Sequence, residues 1–381
     1  MQASLAGGAT LMTGCVRSGD EPVESGQVSR SNQPLRILIL GGTGFIGPHM
    51  VHEALRRGHE VSLFNRGRTN RTLFPDLELL IGDRNNGLDA LIGRSWDAVV
   101  DNSGYVPRHV ADSAQLLSSA VSHYIYVSSV SAYAAMSGNP TAADYHDVDV
   151  VNTEYDSSLV TMPDETVEEV TSETYGPLKV LCERAATAAM GEERITILRP
   201  TWVAGPGDNT DRFTYWPVRV SRGGEMLVPG NPSDQIQIVD VRDLANFVVD
   251  SLEKKITGIY NMVNPPGTYS MGQFMAECQA LTGSDASLTW VDLPFIEKYG
   301  LYASGELPIW APMSGDTRSD ALINGDRASA RGMKTRPERE TIRDILRWWP
   351  TLPEDRRSSL RAGLSAEHEA EMLASWHEQN D

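Results

Sequence analysis

LRILILGGTGFIGPHMVHEALRRGHEVSLFNRGR, residues 35–68, carries the signals of a strand, a tight turn, a helix and a second strand in a single run. Leu35 to Leu40 is a continuous apolar stretch of the kind buried on both faces of a parallel sheet. It ends directly in Gly41-Gly42-Thr43-Gly44-Phe45-Ile46-Gly47, after which Ile46, Met50, Val51, Ala54 and Leu55 recur on one helical face and Gly58 stops the helix. Glu60 to Asn65 is the second strand. In this arrangement Gly41 permits the sharp turn, Gly44 lets the backbone approach a pyrophosphate at the positive end of the helix, and Gly47 lets helix and strand pack closely. The alternative is an ordinary glycine-rich βαβ turn. Because strand, helix and second strand all have fitting lengths, dinucleotide binding is the stronger reading.

At the end of the second strand a NAD-selective site usually places a carboxylate on the ribose 2′-OH. This chain has Asn65-Arg66-Gly67-Arg68 instead. Guanidiniums offer a planar fork to phosphate oxygens, so Arg66 and Arg68 favour NADP over NAD; two solvated loop arginines are the alternative. Further apolar strands follow at Leu77–Asp83, Trp96–Asn102 and His123–Ser129, each separated by a helix-length segment. Alternating β and α units imply an α/β fold with a Rossmann-type, doubly wound parallel sheet. Ligands of such sheets sit at the strands' carboxyl ends, where Asp83, Asn102, Ser103 and Ser129 fall.

The 381 residues include 33 Lys+Arg and 51 Asp+Glu, a formal net charge of −18. That balance makes nucleic acid an unexpected partner. Cys15, Cys182 and Cys278 lie far apart, which argues against a thiol zinc site or a disulfide framework. His146, His368 and His377 show no metal-ligand spacing with carboxylates, so no metal is expected. No apolar run approaches the roughly 18–20 residues of a membrane-spanning helix, so the body is expected to be soluble.

Residues 1–34 differ in composition from the rest: Ala3 to Cys15 is small, apolar and uncharged, and the stretch after it is polar and turn-rich. Leu11-Met12-Thr13-Gly14-Cys15 resembles a bacterial lipobox, although no positively charged segment precedes it. An exported, lipid-anchored protein is therefore expected slightly ahead of a cytoplasmic one with a flexible tail. In the former case the anchor would be its one membrane attachment.

The chemistry is expected from three residues. In Tyr175-Gly-Pro-Leu-Lys179, at the start of a helix running to about Ala189, the four-residue spacing puts phenol and ammonium on one face. A nearby cation favours phenolate, so Tyr175 can serve as base toward a hydroxyl or acid toward a carbonyl. Ser129, at a strand tip, can hydrogen-bond the same oxygen.

With these features the chain resembles the extended and atypical short-chain dehydrogenase/reductases, the branch that includes sugar-nucleotide epimerases and dehydratases. The matching stretches are GGTGFIG (41–47), Gly82-Asp83, YVSSVSAYA (126–134), YGPLK (175–179), ILRPTWVAGPGD (197–208) and IVDVRDLA (238–245), within about residues 35–350. The resemblance implies Ser129, Tyr175 and Lys179 as the catalytic trio. It also implies cofactor contacts at Gly41, Thr43, Gly44, Phe45, Ile46, Gly47, Asn65, Arg66, Arg68, Asp83 (to the adenine), Arg84, Ser103, Gly104, Lys179 and Pro200 (near the nicotinamide). It implies a Rossmann domain over 35–204 and a small α/β substrate domain over 205–350. About 236–264 would return to the Rossmann core, and 351–381 would form a helical tail. A homodimer through the helix at Tyr175 and the one after Pro107 is a further implication.

The function implied is that of an NAD(P)-dependent oxidoreductase or epimerase acting on a hydroxyl or carbonyl of a small molecule, a sugar or sugar nucleotide among the candidates. A non-catalytic nucleotide- or RNA-binding member of the same fold is the competing reading. Sugar 4,6-dehydratases carry acidic residues just after the catalytic hydroxyl residue, where this chain has Val130-Ser131-Ala132; dehydration is thereby disfavoured. Ser129 and Tyr175 lie 46 residues apart, and the stretch from 137 to 174 holds ten Asp/Glu and no Lys or Arg. It reads as a solvated insertion or as an anion-repelling lid. Ser131, Arg212, Tyr215, Trp216 and Arg219 are the candidate substrate residues, aromatics with arginines suiting sugar stacking and anion binding. The last helix is expected to start at a Ser365 cap and to dock Ala366, Ala370, Leu373 and Trp376 on its own body.

Overall fold

The structure, a computed structural model, describes residues 33–134, 153–312 and 323–380. The leader with Cys15, and His146, lie outside them. Seven strands form the main sheet: β1 (Arg36–Leu40), β2 (Glu60–Asn65), β3 (Glu78–Ile81), β4 (Ala98–Asp101), β5 (His123–Val127), β6 (Ile195–Pro200) and, later in the chain, β10 (Gly258–Met262). Their order is β10-β6-β5-β4-β1-β2-β3, all parallel. The register aligns Leu40 with Phe64 on one side and Asp101 on the other, so the carboxyl ends form one edge. β3 is shorter than its apolar run because Asp83 leaves the sheet to close a turn with Gly87, by two backbone hydrogen bonds of 3.1 and 2.8 Å.

Helices cover both faces. On one, α1 (Ile46–Arg56) and α5 (Val241–Lys254) bury Met50, Val51, Leu244, Phe247 and Val248 against Ile37, Ile39 and Val100. On the other, α2 (Pro107–Leu117) and α3 (Ser172–Met190) bury Val110, Ala114, Cys182 and Ala186 against Leu38, Leu40 and Tyr124. Strands with both faces covered need continuous apolar runs, which is why their sequences do not alternate.

A second core lies over a two-stranded parallel sheet of β8 (Glu225–Pro229) and β11 (Ser287–Val291). Around it pack α4 (Tyr215–Ser221), α6 (Met271–Thr282), α7 (Leu293–Tyr299), α9 (Glu338–Trp348) and α11 (Ala366–Asn380). The short helices α8 (Asp326–Ala330) and α10 (Glu354–Arg357) complete the set. β7 (Trp202–Ala204) and β9 (Ile238–Asp240) pair in parallel with one another.

The C-terminal helix docks on its own body, but with a shifted stripe. Ala366 and Ala370 are exposed, and the buried positions are Glu369, Met372 and Leu373, with Trp376 edge-on to Phe295. The reason is electrostatic: Glu369 is drawn inward by Arg219, at 2.6 Å. Ser365 accepts the His368 N–H at 3.1 Å, as its cap. No described helix is long and apolar enough to cross a membrane.

Candidate active site

The glycine turn sits between the carboxyl ends of β1 and β4. Gly41 and Gly42 have φ of 113° and 89°, values that favour glycine. A Cβ on Gly47 would lie 2.4 Å from the Gly42 Cα, so the two glycines let α1 rest on the turn itself. A Cβ on Gly44 would meet nothing within 4 Å. The fold therefore leaves the glycine at 44 unexplained, and a ligand lying against the turn supplies a reason for it.

α1 also begins without a side-chain cap and with no acidic residue in its first turn. α3 and α6, by contrast, open with capping boxes at Thr171/Thr174 and Ser270/Gln273. An uncapped positive helix end beneath an open glycine turn fits a dinucleotide pyrophosphate. Thr43 accepts the Asn70 side-chain amide at its carbonyl (3.0 Å), Phe45 is the first flanking residue of α1, and Ile46 its first residue.

Asn65 ends β2 by accepting the Gly67 N–H (2.8 Å) and donating to the Gly41 carbonyl (3.3 Å). Arg66 and Arg68 stand exposed beyond it. Asp83 is half-buried and accepts the Asn85 N–H at 3.0 Å. Arg84 departs from expectation. Its guanidinium is turned inward, donating to both Asp101 oxygens (2.6 and 2.7 Å), to Ser113 Oγ (2.6 Å) and to the His109 carbonyl (3.2 Å). It ties the 82–87 turn to β4 and α2 and is not free for a cofactor. Asp101 in turn accepts the Ser103 N–H (3.3 Å), and Ser103 Oγ donates to the Leu40 carbonyl (3.0 Å), which shapes the wall opposite the glycine turn. Pro200 is buried at the end of β6.

α3 brings the trio together. Thr171 caps it through the Thr174 N–H, at 3.2 Å, one residue before Tyr175. Gly176 then presses on the Ser131 backbone so closely that a Cβ would lie 2.3 Å from its carbonyl oxygen. This contact fixes the start of α3 against the turn after β5, and the Ser129 hydroxyl is close enough to the Tyr175 phenol to favour its ionised form. Ser129 Oγ also contacts Ser131 Oγ and accepts the Ser131 N–H, both at 3.1 Å. Burial raises the Tyr175 pKa and outweighs the opposing influence of the Ser129 hydroxyl and the positive charge of Arg212.

Lys179 is buried and donates to the carbonyls of Gly104 (2.9 Å) and Val127 (2.7 Å), its ammonium lying 4.6 Å from the Tyr126 ring centre and 5.2 Å from that of Tyr105. Burial lowers its pKa to about 8. Lys179 is held by main-chain carbonyls one turn further along α3, and the positive charge of Arg212 also acts on Tyr175.

Arg212 lies in the same cleft, its guanidinium 4.7 Å from the Trp202 ring centre and its Nε donating to Thr210 Oγ1 at 3.1 Å. Tyr215, Trp216 and Arg219, expected at the substrate, are instead core. Tyr215 and Trp216 are fully buried, and Trp216 Nε1 donates to the Pro308 carbonyl at 2.8 Å. Arg219 serves Glu369 and the carbonyls of Gly223 and Glu225. Sequence type gives no way to separate rim from core among these side chains, since both take aromatics and paired arginines. Tyr105 was missed: its ring centre is 6.4 Å from that of Tyr175, and its position beyond Ser103-Gly104 was the available signal.

The described part of the acidic stretch is not simply solvated. Glu154 is buried and accepts the Asn261 N–H at 3.0 Å, Leu159 packs on Val130 and Tyr133, and Glu168 forms a double hydrogen bond to Arg108, at 2.8 and 2.9 Å. Among the described residues no group of three His, Cys, Asp or Glu is placed to hold a metal.

Comparison with known proteins follows this geometry. The model of the NAD dependent epimerase/dehydratase family matches residues 37–263. A Bos taurus protein described as epimerase family protein SDR39U1 is 25% identical over 63% of this chain and 78% of its own length. A 3-beta-hydroxysteroid dehydrogenase of Mycolicibacterium neoaurum is 43% identical over 54 residues, 14% of this chain and 15% of its own. The chain thus matches under a sixth of that relative. Among solved structures, the Bordetella bronchiseptica enzyme WbmG in complex with NAD superposes with a TM-score of 0.60 at 18% identity, covering 88% of this chain and 99% of its own. Human SDR39U1 with NADPH gives 0.54 at 20%, covering 82% and 99%. At these identities the structural likeness bears on the fold.

Proposed function

This chain belongs to the NAD-dependent epimerase/dehydratase family, and from that premise we propose that it is an NAD(P)-dependent oxidoreductase or epimerase acting on a hydroxyl or carbonyl of a small molecule. The observation that carries the reading is the meeting of Ser129, at the end of β5, with Tyr175 and Lys179 of α3 at the carboxyl edge of the sheet, beside the open glycine turn and uncapped α1. When bound, the nicotinamide supplies hydride acceptance and return.

The chain's own part is proton handling. Ser129 Oγ orients the reacting oxygen. Tyr175 Oη takes the hydroxyl proton during oxidation or returns it to a carbonyl oxygen during reduction. Lys179, fixed by two carbonyls, has one donor left with which it would hold the nicotinamide ribose. Gly44 and the first turn of α1 would hold the pyrophosphate, and Arg66 and Arg68, exposed at the end of β2, would favour a 2′-phosphate and hence NADP. With Val130, Ser131 and Ala132 following Ser129, elimination of water lacks its usual carboxylates. Hydride transfer, or epimerisation through a transient ketone, suits the site better.

Tyr175→Phe is expected to retain dinucleotide binding while turnover of an identified substrate falls by about 10²- to 10⁴-fold. Fluorescence titration with NADPH and steady-state kinetics check both halves, and a variant with full activity overturns the assignment of the proton donor. Replacing Arg66 and Arg68 together by Ala is expected to weaken NADPH about tenfold or more, the loss of charge-assisted phosphate contacts, and to leave NADH nearly unchanged.

A further inference from the structure

Arginines in this molecule are mostly spent. The cavity of about 410 Å³ between α1 and α5 illustrates this, for it is lined by Arg56, Arg242 and Arg336, each already paired with Glu53, Asp240 and Asp344, or Asp243. Arg212 differs. No carboxylate lies within ion-pair distance of it among the described residues, and its one side-chain hydrogen bond uses Nε.

The support beneath that bond is layered. Asp208 is buried and accepts both the Thr210 N–H (2.8 Å) and the Thr210 hydroxyl (2.7 Å); Thr210 Oγ1 then receives Arg212 Nε. The Trp202 ring, at the start of β7, has the guanidinium carbon of Arg212 over its face, 4.7 Å from the ring centre. The result is a planar fork with Nε anchored, the cation over an indole ring and, among the described residues, neither Nη group hydrogen-bonded to protein. That is the geometry in which arginine takes an oxyanion by two parallel hydrogen bonds. Its positive charge is felt by both Tyr175 and Tyr105.

We infer that the substrate carries an oxyanion, carboxylate or phosphate, and that Arg212 is the specificity residue that receives it while the reacting carbon faces Tyr175. This rests on the function proposed above and names its substrate class. Tyr105, whose ring centre lies 6.4 Å from that of Tyr175, is a second phenol that can donate to that anion or to the sugar-like body bearing it. In a chain of net charge −18, an unpaired guanidinium beside Tyr175 selects anions locally against a repulsive general field. Neutral alcohols then enter without the contact that orients them.

The test uses the full chain saturated with NADP⁺ and three probes titrated by calorimetry: D-glucuronate, glucose 6-phosphate and D-glucose. At least one anionic probe is expected to bind about tenfold or more tighter than glucose, the scale of one charge-assisted pair. Which of the two does so separates carboxylate from phosphate. Arg212→Gln is expected to bring that probe down to glucose's affinity. Arg212→Lys, which keeps the charge and loses the fork, should fall between, and Thr210→Val, which frees Nε, should lose about threefold, a fraction of one hydrogen bond. The inference is overturned if both anions bind no tighter than glucose, or if Arg212→Gln leaves the preference intact in a variant whose circular dichroism is unchanged. Should Arg212→Gln not fold, the lysine and Thr210 variants decide it in the same way. Failure of the wild-type chain to take up dinucleotide is a separate result and removes the proposed function itself.

Discussion

Gly44 and Gly47 sit three residues apart in one turn, yet their substitution should have opposite consequences. A methyl on Gly47 meets the Gly42 backbone at 2.4 Å, and main chain cannot move aside cheaply, so Gly47→Ala is expected to cost about 1–3 kcal/mol of stability in urea unfolding. A methyl on Gly44 meets no protein atom. Gly44→Ala should leave the unfolding midpoint unchanged and weaken dinucleotide binding, a separation that chemical denaturation and fluorescence titration read directly. The turn was legible from spacing because glycines respond to local geometry. Arg84, Tyr215, Trp216 and Arg219 were not, since whether a guanidinium meets a ligand or an Asp101 or Glu369 is decided by residues distant in the chain. The same limit hid the influence of Arg212 on Tyr175.

Among the elements, α3 carries the densest set of obligations. Its middle holds Glu183, which accepts two hydrogen bonds from Arg199 of β6 (2.9 and 2.6 Å) and one from Ser128 Oγ (2.5 Å), all buried. Glu183→Gln leaves a buried guanidinium uncompensated and is expected to destabilise by about 3–5 kcal/mol. Combining it with Arg199→Met should recover much of the loss, a non-additivity that a double-mutant cycle measures. Helix and strand positions were readable from apolar runs and from the spacing of Tyr175 and Lys179. The capping box at Thr171/Thr174, the Gly176 contact and the β7–β9 and β8–β11 pairings were not, because each depends on partners outside the local pattern.

For the molecule as a whole, acid is the informative stress. His123, buried at the start of β5 with Nε2 2.7 Å from Thr196 Oγ1, has its pKa lowered by burial to about 4. Its unfolded form protonates near 6.5, so the unfolded chain gains protons first as the pH falls. Stability from this group is complete above that value and is lost between pH 6.5 and 4, by about 3 kcal/mol in all. His123→Gln should flatten this part of the stability profile, as thermal melts across that range would show. Tyr175 and Glu183 ride on one helix, so a change that displaces α3 disturbs both the cleft and the Glu183–Arg199 pair. Random mutagenesis scored for lost activity will therefore return changes around Glu183 and Arg199 alongside those at Tyr175, and a geneticist reading the map alone would draw an active site extending well below the cleft. Abundance measured beside activity sorts the two groups, since the lower set lowers the amount of folded protein and the upper set does not.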